Sequence, residues 1–297
     1  MLKPLNSYSV GNTPIYKLDN LNIYIKMEKF NPNGSIKDRT AYFLIQDILN
    51  QKKFNKNITI IESTSGNLGI SLDFFAKKIE VKFKALIDDT ISIDKLKEFQ
   101  KRKIEYILTK SNNLDYRNAR IQLAKKLDKK ENFIWSNQYD NFANMKAHYI
   151  STAPELWKQM NGKIDIVIVS IGTGGTISGI AKFLKEKNSK ITICGVEPIG
   201  STIFGGVEKK YINVGIGLKG RDKILKKYIN LIDFNFKVSD KDAIELTKRY
   251  KNIGFGISTG YALKVAFDMN EKYPNKNIIV ISPDGIENYK EILDANI

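Results

Sequence analysis

The sequence is poor in the residues that make covalent or metal staples. Its 297 residues include one cysteine, Cys194, and one histidine, His148. One cysteine excludes a disulfide within the chain and a Cys₄ cluster. One histidine excludes two- and three-histidine metal centres. No metal site is expected, and a zinc hydrolase is all but ruled out. No apolar run approaches the ~20 residues of a membrane span; the longest covers residues 164–171. The opening MLKPLNSYSVGNTP lacks the apolar core of a signal peptide, so a cytoplasmic protein with no membrane partner is expected. Low-complexity tracts, Pro/Gly-rich linkers and repeats are also missing.

Acidic residues are in deficit. Lys and Arg total 48 against 32 Asp and Glu, a net charge of +16. Such a balance raises the question of nucleic acid. The lysines are scattered among Asn and Ile, however, with no basic tail and no basic stretch laced with aromatics. That pattern reads as solvated faces, and no nucleic-acid partner is expected.

What is present is a regular alternation. Short apolar runs at 57–62, 81–87, 104–108, 133–136, 164–171, 191–196, 234–238 and 277–282 read as strands. Amphipathic stretches at 68–78, 93–102, 116–129, 141–160, 177–187, 240–251 and 260–272 read as helices. Ser239 is placed as an N-cap. The βαβα order calls for α/β architecture, with parallel sheets and helices on both faces. Ligands then sit at the carboxyl ends of the strands.

Four segments carry unusual chemistry. Gly172, Thr173, Gly174, Gly175 and Thr176 follow a buried-type strand and open a helix. Glycines let backbone approach a ligand, and a helix start offers free N–H groups, so the turn suits a phosphate dianion. It is neither a Walker loop nor a dinucleotide fingerprint, because no Lys follows and the spacing fails. A tight turn without ligand would use the same glycines. Thr64, Ser65, Gly66 and Asn67 gather hydroxyl and amide donors at another helix start, where a carboxylate is the natural guest. Plain helix capping is the alternative. Lys37 follows NPNGS in a first helical turn, whose positive end lowers an ammonium pKa as imine formation requires. A surface lysine is the bland alternative. Ser258 lies in GISTG at a fourth helix start. A phosphate socket, a carboxylate loop, an imine lysine and a lone hydroxyl together suit pyridoxal 5′-phosphate.

On these residues the chain resembles the cysteine synthase and cystathionine β-synthase family of pyridoxal-phosphate enzymes, with the two-domain tryptophan-synthase-β-like fold (fold type II). GNTP (11–14), KMEKFNPNGSIKDR (26–39), ESTSGNLGI (62–70), NQY (137–139), GTGGTISG (172–179), GVEP (195–198), GIG (215–217) and GISTG (256–260) occur in the family's order. The resemblance implies that Lys37 binds the cofactor covalently and moves the substrate α-proton, and that Asn67 meets its ring oxygen. It implies further that residues 172 to 176 hold the phosphate and that Ser258 faces the pyridine nitrogen. Thr64, Ser65, Gly66, Asn67 and Gln138 would hold the substrate carboxylate.

The implied reaction is β-replacement through an α-aminoacrylate on O-acetylserine or O-phosphoserine. Sulfide leads as nucleophile. An amino nucleophile such as glutamate on O-phosphoserine, and sulfide release from cysteine, remain open, as does a nucleotide- or nucleic-acid-binding module from another class. Leu68 and GIGLKG (215–220) depart from ordinary cysteine synthases, and ESTSGNLGI (62–70) and GSTIFGG (200–206) resemble the branch that uses O-phosphoserine, which includes the siderophore-pathway synthase. Lys219 and Arg221 are candidates to meet an anionic group. Residues 1–37 and 139–297 are expected to form the larger domain and 38–138 a smaller mobile one, in a homodimer. His148 reads as a hydrogen-bonded helix residue and not an acid or base, Cys194 as a core thiol, and Trp135 and Trp157 as packing residues.

Overall fold

The computed structural model describes residues 2–64, 66–110, 115–212 and 215–295. Among these described residues there are ten strands: β1 (Ile15–Lys17), β2 (Ile23–Met27), β3 (Thr59–Ser63), β4 (Lys82–Asp88), β5 (Tyr106–Thr109), β6 (Phe133–Trp135), β7 (Ile166–Ser170), β8 (Thr192–Pro198), β9 (Phe234–Val238) and β10 (Ile278–Ser282). Between them run α1 (Lys37–Leu49), α2 (Asn67–Lys78), α3 (Ile93–Lys101), α4 (Tyr116–Asp128), α5 (Ala143–Ala147), α6 (Ala153–Gln159), α7 (Gly175–Lys187), α8 (Lys223–Tyr228), α9 (Asp240–Arg249), α10 (Ile257–Lys272) and α11 (Lys290–Ala295).

The strands form two sheets. One has the order β1-β2-β10-β7-β8-β9 and the other β5-β4-β3-β6. All neighbours are parallel except β1, which runs antiparallel to β2. Both sheets are covered on two faces, which is why their strands read as continuous apolar runs. In β7, Ile166 and Ile168 pack under α9 and α10, while Val167 and Val169 pack under α6 and α7. In the smaller sheet, Ile60 faces α1 and α2, and Ile61 faces α4. Each such isoleucine contributes about 1.5–3 kcal/mol by leaving water.

Some elements escape sequence reading. β1 has only three residues, too few to show a period. The stretch expected as one helix over 141–160 contains a π-helical turn, His148–Thr152, between α5 and α6. Pro154 follows at once; it has no N–H for the preceding turn, and the chain widens ahead of it. Ser239 caps α9 as expected, accepting from Asp242 N at 3.1 Å.

A buried ionic cluster fixes where α1 starts. Arg39 donates through Nε to Glu28 at 2.7 Å and through a terminal nitrogen to Glu28 at 2.9 Å and Glu155 at 2.9 Å. Lys26 donates to Glu155, and Thr13 to Glu28 at 2.7 Å. Arg39, Lys26 and Glu28 are fully buried. Burial works to raise the Glu28 pKa, but the Arg39 charge and hydrogen bonds prevail and lower it to about 2. The cluster ties β2, α1 and α6 together two residues beyond Lys37.

Candidate active site

Carboxyl ends of strands from both sheets meet at one cavity of about 900 Å³. Its wall includes Lys37, Thr64, Asn67, Gln138, Gly172, Thr173, Gly174, Gly175, Thr176 and Ser258. Ser65 lies outside the described residues. Gly66 sits behind the wall, where the methylene stem of Lys95 covers it: a Cβ at Gly66 would lie 2.9 Å from both Cγ and Cδ of Lys95.

Lys37 is the first residue of α1. Its N–H is taken by Ser35 Oγ at 3.3 Å, and the Ile36 N–H by Pro283 O at 2.8 Å. These bonds hold the turn against the end of β10. Among the described residues its ammonium has neither hydrogen bond nor ion pair. Burial, rather than the positive end of α1 expected from sequence, is the principal cause that lowers its pKa; Asp284 and Glu62 oppose. Glu62 is itself buried beneath the cavity. It accepts from Ser136 Oγ at 2.6 Å, Gln138 N at 3.0 Å and Trp135 Nε1 at 3.2 Å. Burial outweighs those donors and raises its pKa to about 7.

The loop after β3 is both capped and open. Thr64 Oγ1 accepts from Gly66 N at 3.1 Å and Gly69 N at 3.2 Å, which leaves its hydroxyl hydrogen to donate. Gly66 has φ 148°, a conformation that favours glycine. Asn67 opens α2; its Nδ2 donates to Asp284 Oδ2 at 2.8 Å, and its Oδ1 accepts from Lys95. Gln138 Nε2 donates to Ser63 O at 2.8 Å.

The glycine turn after β7 needs its glycines. Gly174 has φ 85°, and a Cβ there would meet Leu225 at 2.7 Å. A Cβ at Gly172 would lie 2.8 Å from Gly215 O, and one at Gly175 2.2 Å from Asn144 Oδ1. Asn144 Nδ2 holds Thr173 Oγ1 at 3.0 Å. His148 sits beside Thr176, bonded as a helix residue, as expected. Among the described residues no protein acceptor takes the N–H groups of Gly172, Thr173 and Gly174. The first N–H groups of α7 have no intrahelical partner either.

Ser258 is fixed through its backbone, its carbonyl accepting from Ser170 Oγ at 2.7 Å. Its Oγ is buried and among the described residues has no hydrogen-bond partner of proper geometry, although it lies near enough to the Tyr289 hydroxyl to work against the burial that raises that group's pKa. Lys219 is exposed and paired with Glu208 at 2.9 Å, and Arg221 Nε donates to Ile203 O at 2.5 Å. Each cation meets a protein group, and Lys219 also lines the cavity. Cys194 is a buried core thiol of β8, pushed up to about 12 chiefly by burial. Sequence reading misses Lys95, Asp284 and Asn144, none of which sits in a glycine- or hydroxyl-rich segment.

The donor set fits pyridoxal phosphate. The N–H groups of residues 172–174 would suit its phosphate, the Lys37 amine its aldehyde, and the Ser258 hydroxyl its ring nitrogen.

Comparison with known proteins leads the same way. The family model described as pyridoxal-phosphate dependent enzyme matches residues 7–284. Cysteine synthase B of Campylobacter jejuni is 36% identical over 285 residues, covering 94% of each chain. The O-acetylserine dependent cystathionine beta-synthase of Bacillus subtilis is 33% identical, covering 97% of each. A hydrogen sulfide-producing enzyme from Fusobacterium nucleatum matches in structure with a TM-score of 0.87 at 33% identity, covering 97% of this chain and 98% of that one.

Proposed function

The chain belongs to the pyridoxal-phosphate dependent enzyme family, and from that premise we propose that it replaces the β-substituent of O-acetylserine with sulfide, forming cysteine. The wider statement, a pyridoxal-phosphate enzyme of β-replacement chemistry with the type II fold, rests on the family match and the relatives above. Relatives named for cysteine synthesis or O-acetylserine favour that donor over O-phosphoserine. One observation carries the reading: the Lys37 amine, without a partner among the described residues, shares its cavity with the glycine turn after β7 and with Thr64 and Asn67.

The cofactor, when bound, supplies an aldehyde and an electron-withdrawing ring. We assign Lys37, Asn67, Gly172, Thr173, Gly174, Gly175, Thr176 and Ser258 to holding it. Lys37, biased toward the neutral amine by burial, then moves the proton at the substrate Cα. Thr64, Ser65, Asn67 and Gln138 orient the substrate carboxylate, and Gly66, behind the wall, shapes the turn that presents them. Ser258 offers the ring nitrogen a neutral hydroxyl. Unlike a carboxylate, it does not enforce protonation there, which favours departure of the β-substituent over racemisation.

The same reading takes residues 38–138, which contain the whole four-stranded sheet, as a smaller domain that closes when the carboxylate docks, against 1–37 and 139–297. It takes the enzyme as a cytoplasmic homodimer. Among the described residues no helix is long and apolar enough to cross a membrane. Ile150, exposed at 45%, lies in a groove with Phe43, Met145 and Tyr228 that a second copy would cover.

The test is product analysis of cofactor-replete protein. O-acetylserine with sulfide is expected to give cysteine, and borohydride reduction to fix the cofactor mass on the Lys37 peptide. Lys37→Ala is expected to lose both. Cysteine formation from O-phosphoserine alone, or net sulfide release from cysteine as the dominant reaction, would overturn the donor or the direction. A cofactor mass on another lysine would overturn the site.

A further inference from the structure

Four side chains close a ring at the edge of the cavity. Lys95 Nζ donates to Asn67 Oδ1, and to Asn288 Oδ1 at 2.6 Å. Asn67 Nδ2 donates to Asp284 Oδ2 at 2.8 Å, and Asn288 Nδ2 to the same oxygen at 3.4 Å. Lys95 and Asn67 come from α3 and α2, beside the four-stranded sheet. Asp284 and Asn288 follow β10 of the other sheet. Two glycines make room for the ring. Gly66 admits the stem of Lys95, and a Cβ at Gly256 would lie 2.2 Å from Asp284 Oδ1.

We propose that Lys95 is a positioning residue that fixes the orientation of the Asn67 amide across the junction of the two sheets, leaving one Asn67 N–H to point into the cavity. The inference rests on the reading above, in which Asn67 meets the cofactor. The geometry over-determines the amide. Turned over, Asn67 would set its NH₂ against the Lys95 ammonium and its oxygen against the Asp284 carboxylate, replacing two charge-assisted hydrogen bonds with two repulsions. In the observed orientation one Nδ2 hydrogen serves Asp284 and the other is free. Without the ammonium, Asp284 alone holds the amide, which can then tilt about a single bond. The ring also makes orientation conditional on the sheets being together, because Asn67 and Lys95 reach Asp284 and Asn288 only across that junction.

The experiment compares Lys95→Met and Lys95→Arg with wild type. In cofactor-free protein labelled with ¹⁵N-asparagine, hydrogen exchange at the Asn67 side-chain amide, assigned by its loss in Asn67→Ala, is expected to accelerate roughly tenfold in Lys95→Met, the scale of one charge-assisted hydrogen bond. In the holoenzyme, pyridoxal phosphate affinity and substrate KM are expected to worsen by about the same factor while kcat moves little. Lys95→Arg, which keeps a cationic donor, is expected to recover most of each loss. Unchanged exchange and affinity in Lys95→Met overturn the proposal. So does an arginine variant as impaired as the methionine one, which would make the role one of packing. If Lys95→Met does not fold, Asn288→Ala removes the second acceptor and is expected to loosen the Asn67 amide in the same assay; no change there is equally fatal. Wild-type protein that binds no cofactor would refute the functional reading instead, and the exchange measurement would still judge the ring.

Discussion

His148 Nε2 lies 3.1 Å from the Thr40 hydroxyl and 3.2 Å from the Thr176 hydroxyl, so one edge of an imidazole joins α1 to the first turn of α7. Its Nδ1 lies 2.9 Å from the Thr152 hydroxyl in the π-helical turn. Both nitrogens are matched by hydroxyls and neither by a carboxylate. The ring is therefore held neutral between the helix that begins with Lys37 and the helix that carries the glycine turn.

Burial first, then the Lys37 and Arg39 charges, lowers the His148 pKa to about 3. Because this is the sole histidine, its C2 proton resonance can be followed without ambiguity. It is expected to stay flat on acidification until the protein unfolds; a midpoint above pH 5 contradicts the geometry. The unfolded chain takes up this proton near the ordinary imidazole value of 6.5 and the folded one does not. Stability from this group is thus present above that pH and is lost as pH falls toward 3, by at most about 1.4 kcal/mol per pH unit. His148→Gln is expected to flatten the acid limb of a urea-midpoint curve.

Gly175→Ala is expected to weaken cofactor binding at least ~tenfold while leaving the fold intact. A methyl there meets the Asn144 amide at 2.2 to 2.7 Å, and Asn144 cannot swing away without releasing Thr173 and the Gln138 carbonyl. If the turn holds the phosphate as proposed, displacing one of its groups would forfeit about one charge-assisted hydrogen bond. Equilibrium dialysis with pyridoxal phosphate measures it; wild-type affinity in the variant would be the contrary result.

Arg39→Met is expected to destabilise the protein by about 3–5 kcal/mol, because it strands Glu28 and part of Glu155 as buried charges. Pairing it with Glu28→Gln is expected to recover part of the loss. Urea denaturation of the single and double variants checks both. Additive losses would mean that the two side chains are not coupled.

Arg117 of α4 pairs with Asp222, the N-cap of α8, and its guanidinium lies 4.4 Å over the Tyr139 ring. The contact bridges the two sheet systems on the side of the cavity nearest the glycine turn. Arg117→Ala is expected to raise substrate KM severalfold, and Arg117→Lys to rescue it poorly because an ammonium cannot stack as a planar guanidinium does. Steady-state kinetics decides; full rescue by lysine would leave charge alone as the operative feature.

Much of this site is legible in the sequence, because strand–turn–helix units write their function locally. The apolar run before Gly172, and the small residues from Thr64 to Asn67, each announce a helix start at a strand end. Lys37 is legible for the same reason. Lys95 and Asp284 are not: one sits in an ordinary amphipathic helix and the other in a loop, and only the approach of the two sheets gives them partners. The cause of the lowered Lys37 pKa is also non-local, since burial depends on what packs around the amine. The π-helical turn hides because its residues keep a helical period. Thr64 shows that capping and ligand binding are not rivals, as one hydroxyl can accept from the backbone and still donate.

The place of β2 beside β10 has a consequence for biosynthesis. The segment bearing Lys37 leaves the ribosome long before β10 and Asp284 have been made. A nascent chain can complete the four-stranded sheet long before it has a finished pocket. A chain that stops short of β10 lacks Ile281, Pro283 and Asp284, all part of the wall around Lys37, so the cavity can close only after that strand is made.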